Sequence, residues 1–409
     1  MNIALLHYTC PPVVGGVEEI LRQQASLFQR NYYPVKVLAG DGAQFAPGID
    51  VEINPILSSR NTKVIKAHEA LIQHHDPKPV HKLKNYIKTY LSASLKQFDV
   101  VIVHNVLTMA YNLPLTLALH ELSESNQLKV VNWMHDSPYF YNHVASHLME
   151  EPWTILKQVN PSIHYVTISE IRKKQFSQLL QTNDIEVIPN GIDPIQFWRL
   201  DPITVRIIRE QNLFQADFLL VQPSRLHPRK NIELSVQVTR ALKDKGINAR
   251  FLLTGAYDPH EPKSVEYYKK LRQLMKSLHV ENDVLIMAEY QFKSGEKLKS
   301  DRITIRDLYL ISDVLFMPSF QEGFGIPLLE AGMIKMPIIC SNIPPFREIG
   351  GEEVCFFEPD DSPDTIADLM IKFLSTEKST IHFRKVMKEY IWDNIFFRKL
   401  EPWLHSIMQ

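Results

Sequence analysis

Short, largely apolar runs recur along the chain, and most are followed by a longer stretch whose apolar residues fall three and four apart. In the first half the runs are Ile3–Leu6, Val35–Ala39, Val100–Val103, Val130–Met134, Tyr165–Ile168 and Ile185–Ile188. In the second they are Phe218–Val221, Phe251–Leu253, Val284–Met287, Val314–Met317, Ile338–Cys340 and Val354–Phe357. Mostly apolar runs of this length suit strands covered on both faces, as in a parallel sheet. Helix-period stretches lie between them, among them Ile20–Phe28, Leu113–Leu122, Ile232–Leu242 and Val265–Leu278. Such alternation predicts an α/β fold, and two series predict two doubly wound domains. The turn-rich Pro189-Asn190-Gly191-Ile192-Asp193-Pro194 separates the series and sets the predicted domains at 1–193 and 194–384. Residues 385–409 carry Tyr390, Trp392, Phe396, Phe397 and Trp403 on a helical pattern. Such large apolar groups need a surface to bury against, so this segment is expected to cross back onto the first domain.

Apolar content of 45% and charged content of 22% are those of an ordinary globular protein, and 409 residues suffice for two or three cores. Lys+Arg 45 against Asp+Glu 46 leaves no global field, so nucleic acid is not an expected partner. The start, Met1-Asn2-Ile3-Ala4-Leu5-Leu6-His7, reads as a first core strand rather than a signal peptide. Cys10, Cys340 and Cys355 lack metal-ligand spacing and read as reduced thiols of a cytoplasmic protein. Of only fourteen glycines, six fall in three clusters: Gly15-Gly16, Gly323/Gly325 and Gly350-Gly351.

One cluster carries chemistry. Ser319-Phe-Gln-Glu322-Gly323-Phe324-Gly325-Ile326-Pro327-Leu-Leu-Glu330-Ala-Gly332 follows the apolar run Val314–Met317. Pro327 suits a first helical turn, where a missing N–H costs nothing. Gly323 and Gly325 let the main chain approach a ligand. Side chains on a helix lean toward its N-terminus, so Glu330 leans back to the mouth that Glu322 borders. Open N–H groups there favour an anion. Two acids beside an anion-friendly mouth suit a ligand bearing phosphates and sugar hydroxyls, which describes a sugar nucleotide.

These motifs resemble the retaining GT-B glycosyltransferases of family 4, with two Rossmann-like domains facing across a cleft, and the resemblance covers essentially the whole chain. Glu322-Gly-Phe-Gly-Ile-Pro-Leu-Leu-Glu330 matches the family's paired-glutamate motif in spacing and intervening residues. The resemblance implies that Glu322 faces the donor sugar, that Glu330 holds the ribose, and that Gly323, Phe324, Gly325 and Ile326 line sugar and phosphates. In Pro223-Ser-Arg225-Leu-His-Pro-Arg-Lys230-Asn231 it places Arg225 and Lys230 on the donor diphosphate, with His227 and Arg229 as extras and Arg229 expected in solvent. It gives Gly15 and Gly16, in Pro11-Pro12-Val-Val-Gly15-Gly16-Val17-Glu18, a backbone contact to the diphosphate. His135 falls beside donor sugar and acceptor, and Asp136 is expected to orient His135 or shape the acceptor pocket. Weaker matches are Ser169, Asn190-Gly191, and Ala288-Glu289-Tyr290, where nucleobase contacts commonly fall.

The function so implied is retaining transfer of a hexose, glucose or mannose, from a UDP- or GDP-linked donor to an acceptor hydroxyl. His135, Glu322, Arg225 and Lys230 are the catalytic candidates. No Asp-x-Asp pair is present, in keeping with the family's metal independence, and no other cofactor is implied. The acceptor stays open between small molecule, glycan and lipid-linked sugar, as do donor base and oligomeric state. A sugar-nucleotide epimerase and a non-catalytic sugar-nucleotide-binding subunit remain as rivals; a nicotinamide dehydrogenase is disfavoured, since Gly-x-Gly-x-x-Gly is missing. From Asn61 to Gln97 lie Lys63, Lys66, Lys78, Lys82, Lys84, Lys88 and Lys96, against Glu69 and Asp76. That segment reads either as a packed amphipathic helix with a solvated lysine face or as a docking face for an anionic membrane or acceptor.

Overall fold

The computed structural model describes residues 1–124, 128–255, 262–376 and 378–409. The first unit comprises Met1–Asp193 with Tyr390–Gln409, and the second Pro194–Glu389. In the first, β1 (Ile3–His7), β2 (Val35–Ala39), β3 (Asp50–Ile53), β4 (Val100–His104), β5 (Lys129–Met134), β6 (Ile163–Thr167) and β7 (Glu186–Val187) form one sheet of order β3-β2-β1-β4-β5-β6-β7. All its pairings are parallel; Leu5 of β1 lies level with Val37 on one side and Ile102 on the other. β3 escapes the apolar pattern because Asp-Val-Glu-Ile sits at the edge, where each residue stays at least partly wet.

The second unit repeats the plan. β8 (Phe218–Gln222), β9 (Ala249–Leu253), β10 (Val284–Ile286), β11 (Val314–Met317), β12 (Ile338–Ser341) and β13 (Cys355–Phe357) run in the order β10-β9-β8-β11-β12-β13, again parallel. The chain winds outward from β8 in one direction and resumes at β11 in the other. Between these two strands the loops diverge to opposite faces, opening a crevice beyond their carboxyl ends. Each unit therefore has such a switch point, at β1/β4 and at β8/β11.

The aromatic tail packs within the first unit. Trp392, Ile395, Phe396, Leu400 and Leu404 share a core with Ile3, Leu5, Leu21 and Phe28. The buried Trp392 Nε1 donates to Gln23 Oε1 at 2.6 Å, and Arg30 pairs with both Asp193 and Asp393. The return begins at Tyr390, not at 385: Ile192 N donates to Tyr390 O at 2.7 Å, and Ile391 bridges Ile192 in parallel. Residues 385–389 stay with the second unit, where Lys388 pairs with Asp217.

The basic segment folds as two helices, Thr62–His74 and Lys78–Ser94. Ile87 and Leu91 are buried, and Lys84 and Lys88 reach Glu121 on the helix Leu113–Ser123. Part of the lysine face is thus internal to the unit. Among the described residues no helix is long and apolar enough to cross a membrane.

Candidate functional site

In the second unit the motif loops leave β8 and β11, the strands that flank its switch point. Beyond β8 the chain makes a short 3₁₀ turn, Pro228–Lys230, before the helix Ile232–Asp244. Beyond β11 it passes Ser319–Gly325 into the helix Ile326–Met333. Phe320 N donates to Arg229 O at 2.9 Å, stitching the loops together. Gln222, fully buried at the end of β8, donates Nε2 to Lys230 O at 3.0 Å and accepts from Ser235 Oγ at 2.7 Å. The cationic turn is therefore anchored from below.

Lys230 and Glu322 meet as an ion pair with little exposure on either side chain. Ser319 Oγ, itself buried, donates to Glu322 Oε1 at 2.8 Å. Arg229 is exposed, as expected, and from there lies 3.6 Å from Glu322 Oε2 and donates to Gln321 O at 3.3 Å. The turn's conformation, not residue type, points the guanidinium back at the glutamate. Gly325 has φ +111°, a left-handed conformation that side chains resist, and a β-carbon there would lie 3.2 Å from the Phe346 ring. Both constraints favour glycine at the helix mouth. Phe324 and Ile326 flank it as exposed apolar residues, and Gly323 faces open space.

Arg225 and Glu330, distant in sequence, line one cavity of about 700 Å³ that Ser224, Thr254, Gly255 and Tyr309 also border. Tyr309 Oη donates to Glu330 Oε2 at 2.8 Å, and burial together with that carboxylate raises the phenol's pKa far above its usual range. Ser224 Oγ is buried on the cavity wall with no hydrogen-bond partner among the described residues. A buried hydroxyl left unsatisfied is costly unless a ligand or water meets it. Tyr290, by contrast, turns its hydroxyl to Glu210 and Gln211 and lies outside this cavity's lining. His227 serves its own turn, its Nδ1 accepting from Arg229 N at 3.2 Å.

In the first unit His7 ends β1, His104 ends β4 and His135 follows β5. His104 Nε2 lies 3.1 Å from Gln24 Oε1, His104 Nδ1 lies 3.3 Å from His135 Nε2, and His135 Nδ1 lies 3.4 Å from Asn190 Nδ2. With each neutral ring donating through one nitrogen and accepting through the other, the four side chains form one continuous hydrogen-bonded chain, whose direction follows from the rotamers of the Gln24 and Asn190 amides at its ends. Both ring nitrogens of His135 are thereby engaged. Burial, reinforced by His7, holds His135 at about 3, and His104 is also pushed well below its ordinary value, so the rings are neutral.

Asp136 does not hydrogen-bond to His135. Its carboxylate takes Tyr141 Oη at 2.5 Å and lies 3.2 Å from Arg172 Nη2. The His135 ring is held instead by His104 and Asn190, while Asn105, in left-handed conformation at φ +56°, fixes the backbone there, its Oδ1 accepting from the N–H of both His135 and Asp136. Ser169 caps the helix Glu170–Leu180 through Arg172 N. Gly15 and Gly16 differ in use. A β-carbon on Gly15 would sit 2.1 Å from the Glu18 carboxylate, which folds back over the helix start and bonds Thr9 Oγ1; a β-carbon on Gly16 would meet nothing within 4 Å. Glu18, Gln24, His104, Asn105 and Tyr309 fall outside the expected site residues, and His104 and Asn105, polar residues directly after the apolar run Val100–Val103, carry a local signal.

The family model described as glycosyl transferases group 1 matches residues 205–391, and that described as Glycosyltransferase Family 4 matches residues 14–196. Mannosylglucosylglycerate synthase of Petrotoga mobilis is 24% identical over 373 residues, covering 85% of this chain and 84% of that protein. The protein of the same name from Thermotoga maritima is 22% identical over 275 residues, covering 63% and 60%. Sucrose-phosphate synthase of Thermosynechococcus elongatus, a solved structure, covers 99% of each chain at 14% identity and a TM-score of 0.39.

Proposed function

The chain belongs to the GT-B glycosyltransferases of family 4 and is a nucleotide-sugar-dependent transferase, and on that premise we propose that it moves a hexose to an acceptor hydroxyl with retention and without a metal. One observation carries the reading: Arg225 and Glu330 share a cavity at the β8/β11 switch point, with the Lys230–Glu322 pair on the same two loops. Cation, carboxylate and an unsatisfied hydroxyl around one cavity are what a ribose-linked diphosphate requires.

In this reading Glu330, held by Tyr309, accepts from the ribose hydroxyls, and Arg225 and Lys230 hold the diphosphate. As the bond from anomeric carbon to phosphate oxygen breaks, charge grows on the leaving diphosphate. Fixed cations then bind the transition state more strongly than the ground state. Glu322, released from Lys230 by the phosphate, turns to the sugar hydroxyls. The new bond forms on the face the phosphate leaves, and a phosphate oxygen takes the acceptor's proton. In the first unit Gly16 leaves its main chain approachable, and His135 and Asp136 border the acceptor side. Relatives named for mannosylglucosylglycerate favour mannose as the hexose.

The test pairs thermal-shift screening of UDP- and GDP-linked hexoses with NMR of the product. A donor that stabilises the fold, followed by a transferred sugar of unchanged anomeric configuration with EDTA present, is the expected result. An epimerised donor formed without acceptor, or saturable binding with no transfer to any acceptor, would overturn it.

A further inference from the structure

The basic segment contains a cavity that the donor reading leaves unused. It measures about 610 Å³ within the first unit and lies between the helices Thr62–His74 and Lys78–Ser94 and the turn Asn54–Ile56. Its floor includes Ile56, and Lys63, Lys66 and Lys82 stand at its rim with the half-exposed Tyr86. No carboxylate lines it.

Those three lysines form no ion pair among the described residues, unlike their neighbours: Lys36 pairs with Glu52, and Lys84 and Lys88 with Glu121. Like charges gathered at one mouth repel, and a bound anion relieves that repulsion. Asn54 directly follows β3, so the cavity opens from the sheet's carboxyl edge, the edge that also carries His104 and His135. Two strand spacings, roughly 10 Å, separate the ends of β3 and β1. A short oligosaccharide spans that.

Resting on the transferase reading, we propose that the acceptor is anionic, and that Lys63, Lys66 and Lys82 bind its carboxylate while its sugar extends toward the β1/β4 switch point. A carboxylate-ended glycoside fits better than a membrane, because the lysines surround a concavity with an apolar floor rather than a flat face. The mannosylglucosylglycerate relatives, named for a glycoside of a carboxylic acid, point to the same class.

Binding of glucosylglycerate, with uncharged glucosylglycerol as control, tests this in the full chain by NMR titration. Wild type is expected to hold the acid on the order of 10-fold more tightly than the control, the scale of about 1.4 kcal/mol. The variant Lys63→Met/Lys66→Met/Lys82→Met keeps the aliphatic stems and should close that gap while its melting temperature and its donor affinity stay put. Equal binding of acid and control to wild type, or a gap that survives in the variant, overturns the proposal. So does loss of phosphatidylglycerol-vesicle binding in the variant with acid binding unchanged, which would make the rim a membrane contact. Donor affinity is read separately, so failure of the transferase reading shows itself by absent donor binding and not by the lysine result.

Discussion

Lys230 and Glu322 neutralise one another from opposite sides of the β8/β11 switch point, Lys230 rising from the turn after β8 and Glu322 from the loop after β11. A cation that is to hold a diphosphate is thus engaged by the carboxylate that is to hold the sugar. A donor must break the pair, and in doing so frees both groups at once. Glu322→Gln removes the competitor. Its affinity for nucleoside diphosphate should rise several-fold by calorimetry, while transfer falls on the order of 10²-fold. Unchanged diphosphate affinity would show that Lys230 is not the phosphate ligand. Lys230→Ala should lower kcat/KM by 10²-fold or more, on the order of losing one preorganised electrostatic donor.

Tyr309 and Glu330 give a second test. Removing the phenol oxygen in Tyr309→Phe leaves packing intact but loosens Glu330, worth about 1 kcal/mol or roughly 5-fold in nucleotide affinity. The diagnostic readout is discrimination: preference for a ribonucleotide over its 2′-deoxy analogue should shrink in Tyr309→Phe and vanish in Glu330→Ala. A preference untouched in both would remove Glu330 from the ribose.

The first unit is expected to be acid-sensitive. Burial holds His68 and His120 at about 4 and, with His7, His135 at about 3, against an ordinary 6.5. The unfolded chain therefore binds more protons than the folded one below pH 6.5. Stability is full above that value and drains away as pH falls toward 4. His120→Gln should flatten this slope in urea melts recorded between pH 7 and 5. An unaltered slope would show that His120 protonates without unfolding.

Gly325→Ala should destabilise the helix mouth by about 1–2 kcal/mol, since it adds a methyl group at φ +111° against Phe346. A reduced donor-induced rise in melting temperature, beyond the loss in the apo protein, would tie that backbone to the phosphate.

Both sheets were legible because buried parallel strands are largely apolar on both faces, and the place of Glu330 was legible because it lies one turn into the helix Ile326–Met333 that Pro327 announces. β3 was not, since an edge strand needs only alternate apolar residues. Nor was the Gln24–His104–His135–Asn190 chain. Its members come from four separate segments, and nothing in a lone glutamine on a helix betrays a neighbour 80 residues away. The directions of Asp136 and Arg229 were likewise set by turns whose conformation residue type does not dictate.

The aromatic tail imposes an order on biosynthesis. Residues 390–409 emerge roughly 200 residues after Asp193, a delay of ~10–40 s at typical elongation rates. Until then Phe28 and Leu21 lack the apolar side chains that cover them in the finished fold. The half of the protein made first is therefore the half that is completed last.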